Sequence, residues 1–397
     1  MSLALSGYRV VDFTQVFAGP YATQQLAQLG AEVIKIEPPG TGDTTRGGLI
    51  EPAKNRIPAS FVACNLGKQS ITLNLKHAEG KAIAERLIAS ADAVVENFRP
   101  GVMKRLGLDY DTARTLKPDI VYCSVSGYGQ SGPKSGRPAF DGAIQADSGM
   151  VSLNGHPDTG PIRAGYFAVD MATAMNTAFA ITAALLRRER TGQGQHIDVA
   201  MLDTALGLIG PQMATYLANG TIPELMGNRS PTGQPTANVF PTADGHLQVV
   251  GLKDNHCKLM YEVLGLQELG ERFPTARDRI KNAAEISGVL FERFATQSSA
   301  HWHDALLEAG VPVSMVRTLD EVAADPQLEG RRALTEVPLT NGSSERIRMF
   351  AGGHQANEDA PTVSASAPTL GEHNDSVMKQ LGLSDADIGR LRDNGVI

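Results

Sequence analysis

Three short segments near the N-terminus restrict the fold of this chain more than anything else in it. Residues 8–13 read as a buried strand, residues 21–29 as a helix and residues 32–37 as a second strand. Two strands joined by one crossover helix run parallel, and a parallel sheet needs helices over both faces. The alternation continues with strands at 70–75, 93–97 and 120–126 and a helix at 78–90. Short helices at 102–106 and 110–116 follow, then helices at 142–149 and 171–186, a strand at 196–201 and a helix at 203–218. The expected class is α/β with a parallel sheet.

At 397 residues the chain is long enough for two domains. The texture changes near residue 225, where Met226-Gly-Asn-Arg-Ser-Pro-Thr-Gly-Gln-Pro235 is rich in turn formers. A hairpin over 240–250 with its turn at Asp244-Gly245 comes next, then amphipathic helices at 253–264 and 300–309. We expect a large domain over 1–224, completed by about 326–397, and a smaller α+β domain over 225–325. The tail carries a strand near Met349 and a charged helix at 385–393.

The net charge of -7 and the lack of an arginine-rich run argue against nucleic acid as a partner. Cys64, Cys123 and Cys257 have no CxxC spacing and suit buried thiols in a reducing cytoplasm. The opening residues run straight into a strand, so no signal peptide is expected. The apolar run around 178–186 is too short for a bilayer. A cytoplasmic protein with no membrane partner is the expectation.

Candidate chemistry centres on Gly165-Tyr-Phe-Ala-Val-Asp-Met-Ala-Thr-Ala-Met175, where a glycine-led segment enters the long apolar helix. Asp170 there is read both as an N-cap and as a reactive group, since a carboxylate can attack an activated acyl carbon. Gly127-Tyr-Gly-Gln-Ser-Gly132 matches GxGxxG after a strand, but Pro133 and Gly136 block the helix a dinucleotide site requires. No metal site is expected, and His301 and His303 are read as solvated residues on a helix. Lys35, Lys68, Lys76, Arg99, Lys104, Arg105, Lys134 and Arg137 lie near strand ends and helix starts. Together they offer a positive patch for a phosphate-bearing ligand. Asn97-Phe-Arg-Pro100 ends a strand with a polar tip and an aromatic suited to stacking on a base.

These pieces together resemble the family III CoA-transferases, the group of formyl-CoA and carnitine-CoA transferases. The resemblance covers essentially the whole chain. It rests on Val10-Val-Asp-Phe-Thr-Gln-Val-Phe-Ala-Gly-Pro20, on Leu29-Gly-Ala-Glu-Val-Ile-Lys-Ile-Glu37 with Gly42-Asp43 and Arg46-Gly47, and on Val95-Glu-Asn-Phe-Arg-Pro-Gly101. Ser126-Gly-Tyr-Gly-Gln-Ser-Gly-Pro133, Thr191-Gly-Gln-Gly-Gln195, Asp325-Pro-Gln-Leu328 and Gly371-Glu-His373 extend it.

The resemblance implies a Rossmann-like large domain, a smaller domain and an interlocked homodimer. It implies that Asp170 is the catalytic nucleophile, passing through a mixed anhydride to an aspartyl-CoA thioester. It assigns the CoA site to Phe17, Ala18, Leu73, Asn74, Leu75, Lys76, Asn97, Phe98, Arg99 and Arg105, with Lys76 and Arg105 on phosphates and Phe98 beside the adenine. Phe140, Asp141 and Gly233 would line the substrate. No tightly bound cofactor is implied; a CoA thioester and a carboxylic acid are the substrates. Phe17 stands where formyl-CoA transferase has a glutamine, Pro38 replaces a basic CoA contact, and only the stretch near Gly233 represents that enzyme's mobile glycine run. Racemases of the same fold carry a histidine before the aspartate at 141, where this chain has Phe140. Racemase chemistry and simple CoA binding are the alternatives. Arg46, Arg56 and Arg163 are candidates to hold the distal carboxylate of a small dicarboxylic acyl group.

Overall fold

The computed structural model describes residues 3–50 and 57–397. Six parallel strands make one sheet: β1 (Arg9–Asp12), β2 (Glu32–Glu37), β3 (Gln69–Thr72), β4 (Ala93–Glu96), β5 (Val121–Ser126) and β6 (Gln195–Ala200). Their spatial order is 3-2-1-4-5-6, so β1 pairs with both β2 and β4, and Val10 lies opposite Val33 and Ala93. The chain reverses its direction of winding between β1 and β4. In such a sheet the crevice for a ligand opens beyond the carboxyl ends of those strands.

The inner strands are largely apolar on both faces because both are covered. Val11, Ile34, Ile36, Ile71, Val94 and Tyr122 point to one side, with Ile83 and Leu87 of α2 (Ala78–Ala89). Val377, Met378, Ile388 and Leu391 of the two C-terminal helices join that layer. Val10, Val33, Val95, Val121 and Val125 point to the other side, under Leu26 of α1 (Ala18–Gln28) and Ile181 and Leu185 of a long helix described next. Each fully buried side chain of this size contributes about 1.5–3 kcal/mol.

A short helix, α3 (Asp141–Asp147), precedes the long one, α4 (Ala168–Thr191). α4 outruns the expected 171–186 and, at 24 residues, is long and apolar enough by composition to cross a membrane. Packing accounts for part of the apolarity. Val169, Thr173, Ala174, Thr177, Ala178, Ile181, Ala184, Leu185 and Arg188 form a buried stripe at helical spacing. The helix continues through its charged last turn because Arg188 reaches Asp92 at 2.8 Å, and Gly192 ends it at φ 68°. The region expected as one helix over 203–218 is two, α5 (Met201–Leu208) and α6 (Gly210–Asn219).

By packing, the chain divides into two compact units: Met1–Ser148 with Ala164–Thr215 and Pro326–Ile397, and Gly149–Arg163 with Tyr216–Asp325. The second unit holds an antiparallel sheet of β7 (Ala237–Pro241), β8 (His246–Val250) and β9 (Val313–Met315), the first two forming the expected hairpin. Phe240, Leu247, Met260, Leu290, Phe294 and Trp302 fill its core. Cys64, Cys123 and Cys257 are buried free thiols.

Candidate active site

The loop leaving β1 is held at every residue. The Thr14 N–H and hydroxyl donate to Asp12 Oδ1 at 2.8 and 2.5 Å, and the Thr14 carbonyl accepts from Lys35 Nζ at 2.6 Å. The Gln15 N–H donates to Asn97 Oδ1 at 2.8 Å, while Asn97 Nδ2 donates to the Gln15 carbonyl at 2.7 Å. The Val16 N–H donates to Asp43 Oδ1 at 3.2 Å. Val16 sits at φ 71°, a strained conformation for a β-branched residue that persists only where its surroundings over-determine it. The loop delivers Phe17, buried, with its ring 4.8 Å from that of Phe167, the residue before α4. Phe17, Ala18 and Asn97 therefore meet at the crevice between β1 and β4.

Asp170 does not cap its helix. Phe167 flanks the helix start without a side-chain cap, and Asp170 lies in the first turn. The cap comes from Asp141, whose Oδ2 accepts the N–H of Val169 at 2.8 Å and of Asp170 at 3.0 Å. Asp141 is itself buried, and Gln145 Nε2 donates to its Oδ1 at 2.5 Å. A carboxylate suits this place because a helix N-terminus leaves its first N–H groups unpaired and positive. The half-buried Asp170 carboxyl is pushed up from its ordinary 3.8 to about 7, first by burial and then by the like charge of Asp141. Phe17, Tyr21, Cys64 and Ala174, with Phe167 and Met171, make the apolar wall beside this turn.

The remaining expected CoA-site residues sit on the same edge of the sheet. Leu73 to Lys76 follow β3, and Leu73 is buried while Lys76 is exposed. Asn97, Phe98 and Arg99 follow β4, and Arg105 lies exposed on the short helix Val102–Leu106. Leu75 and Phe98 both pack on the core under that face. Phe140 is exposed immediately before α3. Gly233 belongs to the second unit, at φ 79°. After β5 the Gly127–Gly132 segment opens no helix, since the next one starts at Asp141, and Asp198 Oδ2 holds the Gln130 N–H at 2.9 Å.

The family model for CoA-transferase family III matches residues 5–374. The chain belongs to this family. It is 34% identical over 387 residues to a succinate–glutarate CoA-transferase of Agrobacterium fabrum, covering 95% of each chain. It is 36% identical over 385 residues to an acetyl-CoA:oxalate CoA-transferase of Acetobacter aceti, covering 96% of each. The crystal structure of a CaiB/BaiF family protein from Brucella suis superposes with a TM-score of 0.85 at 33% identity, over 96% of this chain and all of that one.

Four of the expected basic residues are engaged elsewhere. Arg46 makes a bidentate pair with Glu37, at 2.7 and 2.6 Å, stacks 3.8 Å over the Phe61 ring and donates to the Pro368 carbonyl. It is not free to hold a distal carboxylate. Lys35 and Lys68 are fully buried and pair with Asp43 and Asp12, each at 3.0 Å, so neither joins a phosphate patch. Lys134 pairs with Asp147 at 3.0 Å. Arg163 is exposed, and Arg56 lies outside the described residues. The buried ion network had a signal in the sequence: a central parallel strand reading Val-Ile-Lys-Ile-Glu is covered on both faces, so its charges must be buried and paired. The capping role of Asp141 had none, because it joins residues 28 and 29 positions apart.

Proposed function

We propose that this CoA-transferase moves CoA from an acyl-CoA donor to a carboxylic acid through a covalent intermediate on Asp170, working as an interlocked homodimer. The observation that carries the reading is the Asp170 carboxyl, half-buried at the start of α4 and pushed up to about 7. Such a group is poorly solvated when charged and is therefore a stronger nucleophile than an exposed carboxylate. Its oxygen attacks the donor carbonyl carbon, the C–S bond breaks, and CoA leaves as thiolate from a mixed anhydride. The thiolate then attacks the Asp170 acyl carbon and frees the donor acid, leaving an aspartyl-CoA thioester. The acceptor carboxylate repeats both steps in reverse order and restores Asp170. No water and no bound cofactor take part.

The relatives' names, succinate–glutarate and acetyl-CoA:oxalate CoA-transferase, support dicarboxylic substrates. With Arg46 tied to Glu37, Arg163 is our candidate for the distal carboxylate. With succinyl-CoA as donor, glutarate and oxalate should exceed acetate and butyrate in kcat/KM by at least about tenfold, one charge-assisted contact's worth. Arg163→Ala should erase most of that margin. Equal rates for both acid classes would reject the dicarboxylate assignment.

The dimer reading is supported by the outer face of α4, where Met175, Phe179 and Leu186 are exposed at 57%, 72% and 52%. Large apolar side chains on one helix face mark an interface. The second unit is, in this reading, the smaller α+β domain. Sedimentation should give twice the 42.1 kDa of the chain, and Phe179→Glu should lower it. A wild-type monomer at micromolar concentration would rule the dimer out.

A further inference from the structure

Most buried carboxylates of the sheet edge have cationic partners: Asp12 has Lys68, Asp43 has Lys35 and Glu37 has Arg46. Glu96, the last residue of β4 and only 4% exposed, has no ion pair among the described residues. Burial pushes it up to about 7, against the pull of the Ser124 hydroxyl and the Phe98 N–H. A buried carboxyl without a cation lowers stability, and groups of that kind are kept where they do something else.

Its contacts say what that is. Glu96 Oε2 accepts the Phe98 N–H at 2.8 Å and so closes the turn that follows the strand. Ser124 stands opposite Glu96 in the register of β4 and β5, and its hydroxyl pulls the Glu96 carboxyl down against the push of burial. Ser124 Oγ also lies in hydrogen-bond contact with His196 Nε2, 3.0 Å away on β6. The His196 ring stacks on Tyr110 with centroids 5.0 Å apart. The line from His196 through Ser124 to Glu96 ends on the peptide group that sets the direction of the Phe98 ring. The neighbouring residue, Asn97, clamps Gln15 in the loop that presents Phe17.

We propose that Glu96 and Ser124, braced by His196, are positioning residues that fix the Asn97–Phe98 turn for the nucleotide end of CoA. This rests on the reading that the turn contacts CoA. Neither side chain touches the reacting atoms. Loss of the Glu96 carboxyl frees the Phe98 N–H and lets the ring drift, which weakens donor binding. The acceptor step is spared, because CoA is by then tethered to Asp170.

The test is steady-state kinetics on the full-length enzyme with succinyl-CoA. Glu96→Leu should raise KM for the donor about tenfold, with kcat and acceptor KM within about threefold of wild type. Glu96→Gln should restore donor KM to within about threefold, since its amide oxygen still accepts the Phe98 N–H. Ser124→Ala should also raise donor KM about tenfold with kcat within about threefold, and it decides the matter by the same criterion if Glu96→Leu does not fold. Phe98→Ala separates the two layers of the argument. A raised donor KM in Phe98→Ala with unchanged values in Glu96→Leu and Ser124→Ala overturns the positioning role. An unchanged donor KM in Phe98→Ala overturns the CoA-site reading beneath it. A Glu96→Leu enzyme that loses kcat and melting temperature with no change in donor KM also overturns the proposal, showing a structural role alone.

Discussion

Asp170→Asn lowers kcat for CoA transfer by a factor on the order of 10⁵, the scale seen when a covalent nucleophile is removed. Donor binding stays within about threefold, since the expected CoA contacts lie after β1, β3 and β4 and not on α4. The wild-type donor half-reaction has a pH limb set by the same group. With its pKa at about 7, Asp170 is charged above that pH and neutral below it, so kcat/KM for the donor falls as pH drops through 7. Asp141→Asn keeps an oxygen for the Val169 and Asp170 N–H groups but removes the like charge. The limb then moves to lower pH.

Stability carries the opposite sign. The folded pKa of Asp170 lies above its ordinary 3.8, so its favourable contribution is complete below that value and lost as pH rises through about 7. Asp170→Asn should therefore be more stable than wild type at pH 8, by about 2 kcal/mol. That is roughly half of what the pKa rise converts to, because the carboxyl is partly exposed. The gain should vanish below pH 4. A variant equally stable at both pH values would show that Asp170 is not strained in its charged form.

The largest loss of stability is expected from Asp12→Ala. Asp12 accepts from the Thr14 N–H and hydroxyl, from the Thr23 hydroxyl at 2.7 Å and from Lys68 Nζ at 3.0 Å, and both charged side chains are fully buried. Burial works to raise the Asp12 pKa, yet Lys68, Lys35 and the two hydroxyls outweigh it and hold the carboxyl below its usual range. Removing it leaves the Lys68 ammonium, among the described residues, with the Pro20 carbonyl and Asn65 Oδ1. Breaking one partner from a buried pair costs about 3–5 kcal/mol. The urea midpoint at pH 7 should fall accordingly, and the loop carrying Val16 and Phe17 should lose its anchor on the β1 side. A loss below about 1 kcal/mol would mean that the network is not what holds that loop.

What could be read from the chain alone depended on whether a signal was local. The β1–α1–β2 unit showed in its alternation, and the crevice followed from parallel winding. Gly165 to Met175 drew attention to Asp170 because a carboxylate at the mouth of an apolar helix is unusual. The cap was misassigned because the helix starts two residues before Asp170, at Ala168, and borrows its cap from Asp141 across a long loop. Arg187 to Arg190 looked like the end of α4, yet the pairing of Arg188 with Asp92 carries the helix through them. Arg46 looked free for substrate because its partner, Glu37, sits at the end of a different element. These three misses are pairings between residues in different elements, and hydrophobic periodicity carries no signal for those.

The central claim is that Asp170 becomes acylated by the CoA donor. Incubation with succinyl-CoA, trapping with hydroxylamine or borohydride, and mass spectrometry of the digested protein test it most directly. The mechanism predicts a modification on the peptide carrying Asp170, absent without the thioester and absent in Asp170→Asn. An unmodified Asp170 peptide in an enzyme that turns over succinyl-, glutaryl- and acetyl-CoA would contradict it.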